Sequence, residues 1–356
     1  MKTFLKKFPN TVKLLDSAME SVFPTYAVGV HFKGESHYYA NGCGLESLFD
    51  LASLTKVICT TTLCAIQDEL TIISTEDPVQ KYFPNFPSNQ VQLSHLLDHS
   101  SGLPAWLDLH SLFHTPDGRG DFNPRSTPKI ARLRYEEEIL KSWVPADFEK
   151  KVTYSDLGFM LLGWALEKQN KSALDALFQE QIVMKAGLES LQFLPITPDV
   201  VPTENCPWRG HVLRGEVHDD NCFVLGGVSG HAGLFGHVQD VLSFGTLWLQ
   251  ALKGTPTLIM PQTAQKNFTF THVPESVRSL GWEGVSREAS STGKYFSSKS
   301  HGHLGYTGTS LWIDPEKQLV VTLLTNRVHP SRTNEKIKTF RPLFHDALLQ
   351  ELGFGT

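Results

Sequence analysis

Hydrophobic and polar residues alternate along two short stretches near the start of the chain, and this pattern predicts a β-hairpin. Tyr26–Phe32 and Ser36–Ala40 are the predicted strands, and Lys33–Glu35 is the turn between them. Before the hairpin, roughly the first 20 residues place apolar groups at helical spacing, which predicts an amphipathic helix. Lysines interrupt this helix, so it lacks the apolar stretch of a signal peptide.

After the hairpin the pattern changes twice. Ser53–Leu70 is rich in small and apolar residues and predicts a buried helix. Residues 71–270 carry few strand patterns but several helical ones, at 129–142, 156–168, 172–186 and 238–252. Strand patterns then return, before a final helix over 333–351. The predicted late strands are Leu280–Ser286, Thr309–Asp314 and Leu319–Asn326.

These elements predict an α/β (α+β) architecture in which both ends of the chain build one antiparallel sheet flanked by helices. Hairpins join antiparallel strands, so residues 1–70 and 271–356 together form the predicted α/β domain. Residues 71–270 form a mainly helical inserted domain. A cleft between two such parts is a common place for a small-molecule site.

Composition narrows the class of protein. The 356 residues are 40% hydrophobic and 19% charged, which excludes a disordered chain. The net charge of −5 lacks the basic excess of a nucleic-acid binder, and no apolar run is long enough for a membrane helix. Five scattered cysteines without a C-x-x-C pair predict free thiols and a cytoplasmic location. No residue spacing predicts a metal site, and no cofactor is implied.

The most informative motif is Ser53-Leu54-Thr55-Lys56, at the start of the predicted buried helix. Residues three apart share a helix face, so the Ser53 hydroxyl and the Lys56 amine can meet. A serine needs a base to become a nucleophile, and a lysine in a dry setting can be that base. Backbone N–H groups at a helix N-terminus would stabilise a developing oxyanion. The alternative is that Ser53 only caps the helix.

Spacing alone does not single out this pair, because S-x-x-K occurs three times in the chain. Ser126 with Lys129 precedes a proline and has the composition of a helix start. Ser291 with Lys294 lies in a hydrophilic stretch rich in glycine and serine, which predicts a loop. Only Ser53 has an apolar helix behind it.

Two further segments carry candidate chemistry. Tyr154-Ser155-Asp156 precedes an apolar helix, and a phenol near lysines can act as a general base or acid. Alternatively, Asp156 caps that helix and Tyr154 is a packing residue. Residues 302–312 are glycine-rich, and glycine lets a strand edge approach a ligand closely. Such an edge can pair with an extended peptide or amide, although an ordinary glycine-rich hairpin is the alternative.

Together these three segments resemble the serine hydrolases related to penicillin-binding proteins and class C β-lactamases. Members of that family carry S-x-x-K, then Y-x-N, then K-T-G or a related triplet, in that order. The corresponding residues here are Ser53…Lys56, Tyr154…Asp156 and His303…Gly305. Stretches at 96–104, 226–234 and 309–315 also resemble the family, and the resemblance spans residues 20–350. It implies the fold predicted above.

The resemblance also implies a role for each residue. Ser53 would be the nucleophile that forms an acyl-enzyme, Lys56 would assist its deprotonation, and Tyr154 would pass the proton to the leaving group. The backbone N–H groups of Ser53 and Tyr306 would form the oxyanion hole. The residues expected to contact substrate are Asp156, His303, Gly305 and His231, whereas His99 is expected to be structural.

Two departures from the family pattern bear on the substrate. A lysine at position 303 would give a permanent cation for a β-lactam or peptide carboxylate, but His303 is mostly neutral at pH 7. Asp156 stands where asparagine is more usual; its carboxylate makes the site less attractive to anions, although it could pair with Lys56. Both changes argue against an efficient β-lactamase.

The expected function is therefore acyl transfer from an amide or ester, in a small molecule or short peptide. D,D-carboxypeptidase, D-aminopeptidase and carboxylesterase activities all have relatives in this family and stay open. The alternative of another class is a non-catalytic ligand-binding module that retains the penicillin-binding fold.

Overall fold

The computed structural model describes residues 2–113, 127–286 and 290–355. Its helices are α1 Lys2–Lys7, α2 Pro9–Ala18, α3 Thr62–Glu69, α4 Leu93–Leu97, α5 Thr127–Lys141, α6 Asp156–Asn170, α7 Leu174–Phe178, α8 Met184–Ala186, α9 Asp220–Val224, α10 Val238–Leu252, α11 Pro261–Asn267 and α12 Ile337–Glu351. Its strands are β1 Tyr26–Phe32, β2 Glu35–Asn41, β3 Phe49–Asp50, β4 Gln192–Phe193, β5 Asn205–Cys206, β6 His211–Val212, β7 Leu234–Gly236, β8 Glu283–Gly284, β9 His301–Leu304, β10 Ser310–Asp314 and β11 Leu319–Thr325.

Strands from both ends of the chain form one six-stranded sheet in the order β2-β1-β11-β10-β9-β8, with every neighbouring pair antiparallel. Strand β1 pairs with β11, so that Tyr26 lies opposite Thr325 and Phe32 opposite Leu319. The prediction that the two chain ends share one antiparallel sheet is therefore confirmed.

Helices cover both faces of this sheet, which explains why every residue of β11 is buried. On one face, Val12 of α2 and Phe344 of α12 belong to the same apolar cluster as Trp312 and Val321. Helix α10 packs on the other face, against β1, β10 and β11. The predicted inserted domain, 71–270, includes α10, and the structure instead places this helix on the sheet. The division of the chain into domains otherwise stays a prediction.

The other differences from the predicted elements have local causes. Pro9 has no N–H to donate and divides the predicted N-terminal helix into α1 and α2. The predicted strand Leu280–Ser286 shrinks to β8, because Gly281 adopts a left-handed φ of 82° and bends the chain before it. The helix that follows Ser53 is confirmed, but Lys56–Thr61 form a wider π-helical turn before α3. The five cysteines are free thiols, as predicted.

Candidate active site

Ser53 stands on a sharp turn that a buried carboxylate fixes. The turn follows β3, and Ala52 adopts a left-handed φ of 48°, which is uncommon for a residue with a side chain. One carboxylate oxygen of Asp50 accepts from the N–H of Ala52 at 2.8 Å, and the other accepts from the N–H of His218 at 2.7 Å. Burial raises the pKa of Asp50 despite these hydrogen bonds. Asp50 thus positions Ser53, a role that no sequence motif indicated.

Lys56 is fully buried and directs its amine at Ser53. Its Nζ donates to Ser53 Oγ at 2.8 Å and to the carbonyl of His231 at 3.0 Å, and it lies 2.7 Å from Asp156 Oδ1. Burial lowers the pKa of Lys56, but the nearby Asp156 and Tyr154 outweigh burial, so that its pKa lies above the ordinary value. The resting lysine is therefore a cation rather than a free base.

Tyr154 lies just before α6, and Asp156 is the first residue of that helix. Ser155 is the N-cap, since its hydroxyl accepts from the N–H of Gly158, and this leaves the Asp156 carboxylate free to pair with Lys56. The alternative that Asp156 caps this helix is thus wrong. The phenol of Tyr154 lies close enough to Ser53 and Lys56 for both to lower its pKa. Burial raises the pKa of Tyr154 more than Lys56 lowers it, so the phenol is neutral at rest.

Two buried histidines flank the Tyr154 ring, with ring centroids 4.7 Å away for His99 and 5.7 Å away for His303. His99 Nδ1 accepts from the N–H of Ser155, which supports its expected structural role. His303 Nδ1 contacts the carbonyl of Leu304 at 2.9 Å, so this nitrogen carries the proton. Burial, with Lys56 and Arg278 nearby, holds the pKa of His303 well below its ordinary value, and the imidazole is neutral.

The end of β9 supplies the opposite wall of the site. Strand β8 pairs only with His301 and Gly302, so the outer edge of β9 beyond them has no strand partner among the described residues. The backbone N–H groups of Ser53 and Tyr306 donate no hydrogen bond within the described ranges. Both N–H groups are therefore available to an oxyanion, as the predicted oxyanion hole requires.

Gly305 allows the end of β9 to lie against the turn that carries Ser53. A Cβ at this position would collide with Thr309 Oγ1 and would lie 2.6 Å from the carbonyl oxygen of Leu51. We expect Gly305→Ala to lower the free energy of unfolding by about 1–3 kcal/mol, measured by urea denaturation. The control is Gly44→Ala, whose new Cβ would meet nothing closer than Ser47 Oγ at 3.5 Å. Equal stability of the two variants would contradict this expectation.

Ser53, Tyr154, Asp156, His303, Gly305 and Tyr306 all line one cavity of about 710 Å³. His231 is not among the described residues that line it, which corrects the prediction that its side chain contacts substrate. The His231 ring is buried between Ser229 Oγ, at 2.8 Å, and Asp219 Oδ1, at 2.9 Å. The neighbouring Asp219 lines the cavity instead.

The two other S-x-x-K pairs lie elsewhere. Ser126 is outside the described residues, and Lys129 is exposed on α5. Ser291 and Lys294 lie in the loop before β9 and do not line the cavity.

Cavity residues that no motif indicated include Arg278, Glu283, Arg327, Arg332 and Arg341. Across the described ranges, no group of three His, Cys, Asp or Glu side chains is arranged to hold a metal ion, and none of the helices is long and apolar enough to cross a membrane.

An antiparallel sheet with helical layers, and an S-x-x-K serine at a cleft beside it, define the class of penicillin-binding-protein and β-lactamase folds. The chain belongs to the Beta-lactamase family, whose model matches residues 12–343. Both the resemblance inferred from the sequence and the predicted fold class are thereby confirmed. Membership places the chain in a β-lactamase-fold hydrolase family.

Two named relatives and one solved structure match most of the chain. The chain is 28% identical over 314 residues to an N-acetylmuramyl-L-alanine amidase of Bacillus subtilis, covering 80% of this chain and 69% of that protein. It is 29% identical over 324 residues to an Escherichia coli protein with the provisional name D-alanyl-D-alanine carboxypeptidase, covering 80% and 70%. The octameric penicillin-binding protein homologue from Pyrococcus abyssi has a TM-score of 0.74 at 20% identity, covering 97% of this chain and 77% of that one.

Proposed function

We propose that this protein is a serine hydrolase that forms an acyl ester on Ser53. The observation that carries the proposal is the 2.8 Å contact between Lys56 Nζ and Ser53 Oγ, with Ser53 on the wall of a cavity that Tyr154 also lines. A hydroxyl that lines a cavity and accepts a hydrogen bond from a buried amine has the geometry of an activated nucleophile. Ser53 as an N-cap alone would not require a buried lysine at that distance.

In the first half-reaction Ser53 Oγ attacks the carbonyl carbon of an amide or ester. The Oγ–C bond forms, the carbonyl electron pair moves to oxygen, and the N–H groups of Ser53 and Tyr306 stabilise that oxyanion. Collapse of the intermediate breaks the bond to the amine or alcohol. This leaving group departs with a proton from Tyr154, whose phenol is neutral at rest.

The Ser53 proton needs an acceptor, and the resting Lys56 is already a cation. We propose that Asp156 is the acceptor, reached through Lys56. Lys56 takes the Ser53 proton while passing one of its own across the 2.7 Å contact to Asp156. The lysine charge is unchanged, so no free lysine base has to form in advance. From the sequence, Asp156 was expected to contact substrate and was noted as a possible partner of Lys56, but no role in proton transfer was predicted for it.

The second half-reaction returns the enzyme to its starting state. The Tyr154 phenolate takes a proton from a water molecule as the water oxygen attacks the carbonyl carbon of the acyl ester. Collapse of the resulting intermediate breaks the bond between the acyl carbon and Ser53 Oγ and releases a carboxylic acid, while Asp156 returns its proton to Ser53 through Lys56. The sum of the two half-reactions is hydrolysis of one amide or ester bond with no cofactor consumed.

The substrate class that we propose is a short peptide or ester with a small acyl group, as in a D-alanyl-D-alanine carboxypeptidase. The names of the amidase and carboxypeptidase relatives support an amide substrate. A carboxylesterase with the same nucleophile is the second candidate. A cavity of about 710 Å³ has room for a small ester as well as for a short peptide, which supports this candidate.

Intact-protein mass spectrometry after brief exposure to a penicillin and, separately, to a p-nitrophenyl ester of a short acid tests the proposal. We expect one adduct per chain that maps to Ser53 and is lost in Ser53→Ala. Labelling by penicillin would favour the peptidase, and labelling by the ester alone would favour the esterase. If neither reagent labels the protein and neither ester nor D-alanyl-D-alanine peptide is cleaved, a non-catalytic binding module becomes the better description.

A further inference from the structure

A second cavity, of about 740 Å³, lies beside the active site, and its size is typical of a small-molecule site. Part of its lining comes from two chain segments, 97–99 and 278–281. A hydrogen bond of 3.0 Å from the N–H of Gly281 to the carbonyl of Leu97 joins these segments. Both segments also contact Tyr154 on their other side, so the two cavities share one wall.

Neighbouring residues of each segment face different cavities. His99 lies with its ring centroid 4.7 Å from that of Tyr154, whereas Asp98 lines the second cavity. Arg278 lines the active-site cavity, with its guanidinium centre 5.0 Å from the centroid of the Tyr154 ring, whereas Ser279 lines the second cavity. Ser279 belongs to a short β-bridge, in which successive side chains point to opposite sides. A ligand in the second cavity would thus touch the immediate neighbours of residues that pack on Tyr154.

Nearly buried polar groups of the second cavity lack hydrogen-bond partners. Asp98 is 6% exposed; its Oδ1 accepts from the N–H and the hydroxyl of Ser100, but its Oδ2 makes no hydrogen bond or ion pair within the described ranges. Ser279 is 1% exposed, and its hydroxyl is buried without a partner there. The hydroxyl of Thr271, which also lines the cavity, has none either. Such groups are costly to leave unpaired, which indicates a ligand that supplies hydrogen-bond donors.

The other charged groups of this cavity leave Asp98 without a cation. Lys266 Nζ lies 2.8 Å from Asp68 Oδ2 and also donates to a threonine hydroxyl. Glu76 adds a further carboxylate. The lining imidazoles contact the Glu149 carboxylate at 3.1 and 3.3 Å, and they belong to His95 and His272. The cavity therefore carries an excess of negative charge, which attracts a cation.

The lining indicates an organic cation rather than a metal ion. Throughout the part of the chain that the structure describes, no group of three His, Cys, Asp or Glu side chains is arranged to hold a metal. The rings of Phe148 and Phe270 line the cavity, and an aromatic face attracts an ammonium group and packs against its apolar body. An ammonium group has three N–H donors, and Asp98 Oδ2 with the hydroxyls of Ser279 and Thr271 offers three acceptors.

We propose that the second cavity binds a small organic ammonium ion, a primary amine attached to an apolar body. Asp98 pairs with the ammonium group, the hydroxyls of Ser279 and Thr271 accept its other N–H groups, and the phenyl rings contact the body. The ligand is not the hydrolysed substrate, because Ser53 lines the other cavity. The inference therefore does not depend on the proposed acyl-enzyme.

NMR titration of the protein with three probes tests the inference. The probes are benzylammonium, the neutral isostere benzyl alcohol, and benzyltrimethylammonium, which has the charge but no N–H group. We expect benzylammonium to bind at least about 10-fold more tightly than either of the others. Asp98→Asn retains an Oδ1 for Ser100 and should reduce the affinity for benzylammonium to that for benzyl alcohol.

Ser279→Ala gives a test that does not depend on how well the Asp98 variant folds. It should weaken benzylammonium binding by about 2- to 10-fold. It should not lower the thermal unfolding midpoint of the protein without ligand, because the hydroxyl that it removes has no partner to lose. A purely structural hydroxyl would give the opposite pair of results, a lower midpoint with unchanged binding, and would contradict the inference.

Two control variants locate the site. Asp175→Asn changes the charge equally at a carboxylate of α7 that also accepts from a backbone N–H, that of Ala176 at 2.9 Å, and should leave binding unchanged. Asp219→Asn alters the active-site cavity and should also leave the preference for benzylammonium intact. Equal binding of benzylammonium and benzyl alcohol, binding of no probe, or loss of the preference in Asp219→Asn but not in Asp98→Asn would overturn the inference. Failure of the proposed function would appear separately, as absence of a Ser53 adduct.

Discussion

Ser53→Ala is expected to reduce turnover of any substrate by about 10⁴-fold or more, because the variant lacks the atom that bonds to the acyl group. Removal of one hydroxyl from a half-buried position should leave the fold intact, and the thermal unfolding midpoint should change by only a few degrees. The measurement is kcat/KM with a p-nitrophenyl ester, together with the intact mass after exposure to that ester.

Ser291→Ala is the matched control for this experiment. It removes the serine of another S-x-x-K pair, in a loop that does not line the cavity. The control should retain full activity and the adduct. Substantial turnover or labelling in the Ser53→Ala variant would show that another group is the nucleophile, and would end the acyl-enzyme proposal for Ser53.

The sequence predicted the fold well where the pattern was strong and local. The strand Tyr26–Phe32 and the helix Val238–Leu252 were placed to the residue, since alternation and helical spacing are clear there. The short strands β4 to β7 were not predicted, because two or three residues carry no periodicity. The packing of α10 on the sheet depends on contacts between distant segments, which the pattern along one segment does not contain.

The candidate site, like the fold, was predicted from the sequence only in part. The ordered motifs indicated Ser53, Lys56 and Tyr154, and the structure places Ser53 and Tyr154 on the wall of one cavity with Lys56 buried behind Ser53. Their proposed roles stay predictions until they are tested. Arg278 and Asp50, by contrast, belong to no motif. Their places at the site depend on contacts with residues far away in sequence: Arg278 lies over the Tyr154 ring, and Asp50 accepts from the N–H of His218.

The protonation state of Lys56 is the property of the site that the sequence predicted least well. A buried lysine suggested a lowered pKa and a ready base, whereas the ion pair with Asp156 raises the pKa of Lys56 above its ordinary value. Burial and the ion pair act in opposite directions on this lysine. Which one dominates depends on the 2.7 Å distance between Nζ and Oδ1, which only the folded chain defines.

The variant Asp156→Asn separates these two effects and should produce the second largest change. Without the carboxylate, only Tyr154 still opposes the effect of burial on Lys56, so the pKa of Lys56 falls and the lysine loses its proton at a lower pH than in the parent enzyme. The variant also lacks the proposed proton acceptor. At pH 7 we therefore expect kcat/KM to fall by about 10²-fold or more, since general base catalysis contributes that much.

The pH profiles distinguish this mechanism from simple loss of a structural contact. Lys56 and Tyr154 have pKa values raised above their ordinary values, and His303 has one well below its own, so none of the three titrates between pH 6.5 and 9 in the parent enzyme. Its kcat/KM with a neutral ester should therefore be flat across this range. In Asp156→Asn, kcat/KM should instead rise about tenfold per pH unit, as neutral Lys56 becomes the base.

Activity of Asp156→Asn should consequently approach that of the parent enzyme at high pH, a recovery that misfolding would not give. Asp147→Asn is the control. Asp147 lies in the turn before α6, its side chain is partly exposed, and its carboxylate lies 3.8 Å from Lys151 Nζ. A flat profile in Asp156→Asn at parental activity would remove Asp156 from the proton path. A rising profile in the parent enzyme would show that Lys56 must lose its proton first, and the relay to Asp156 would then be wrong.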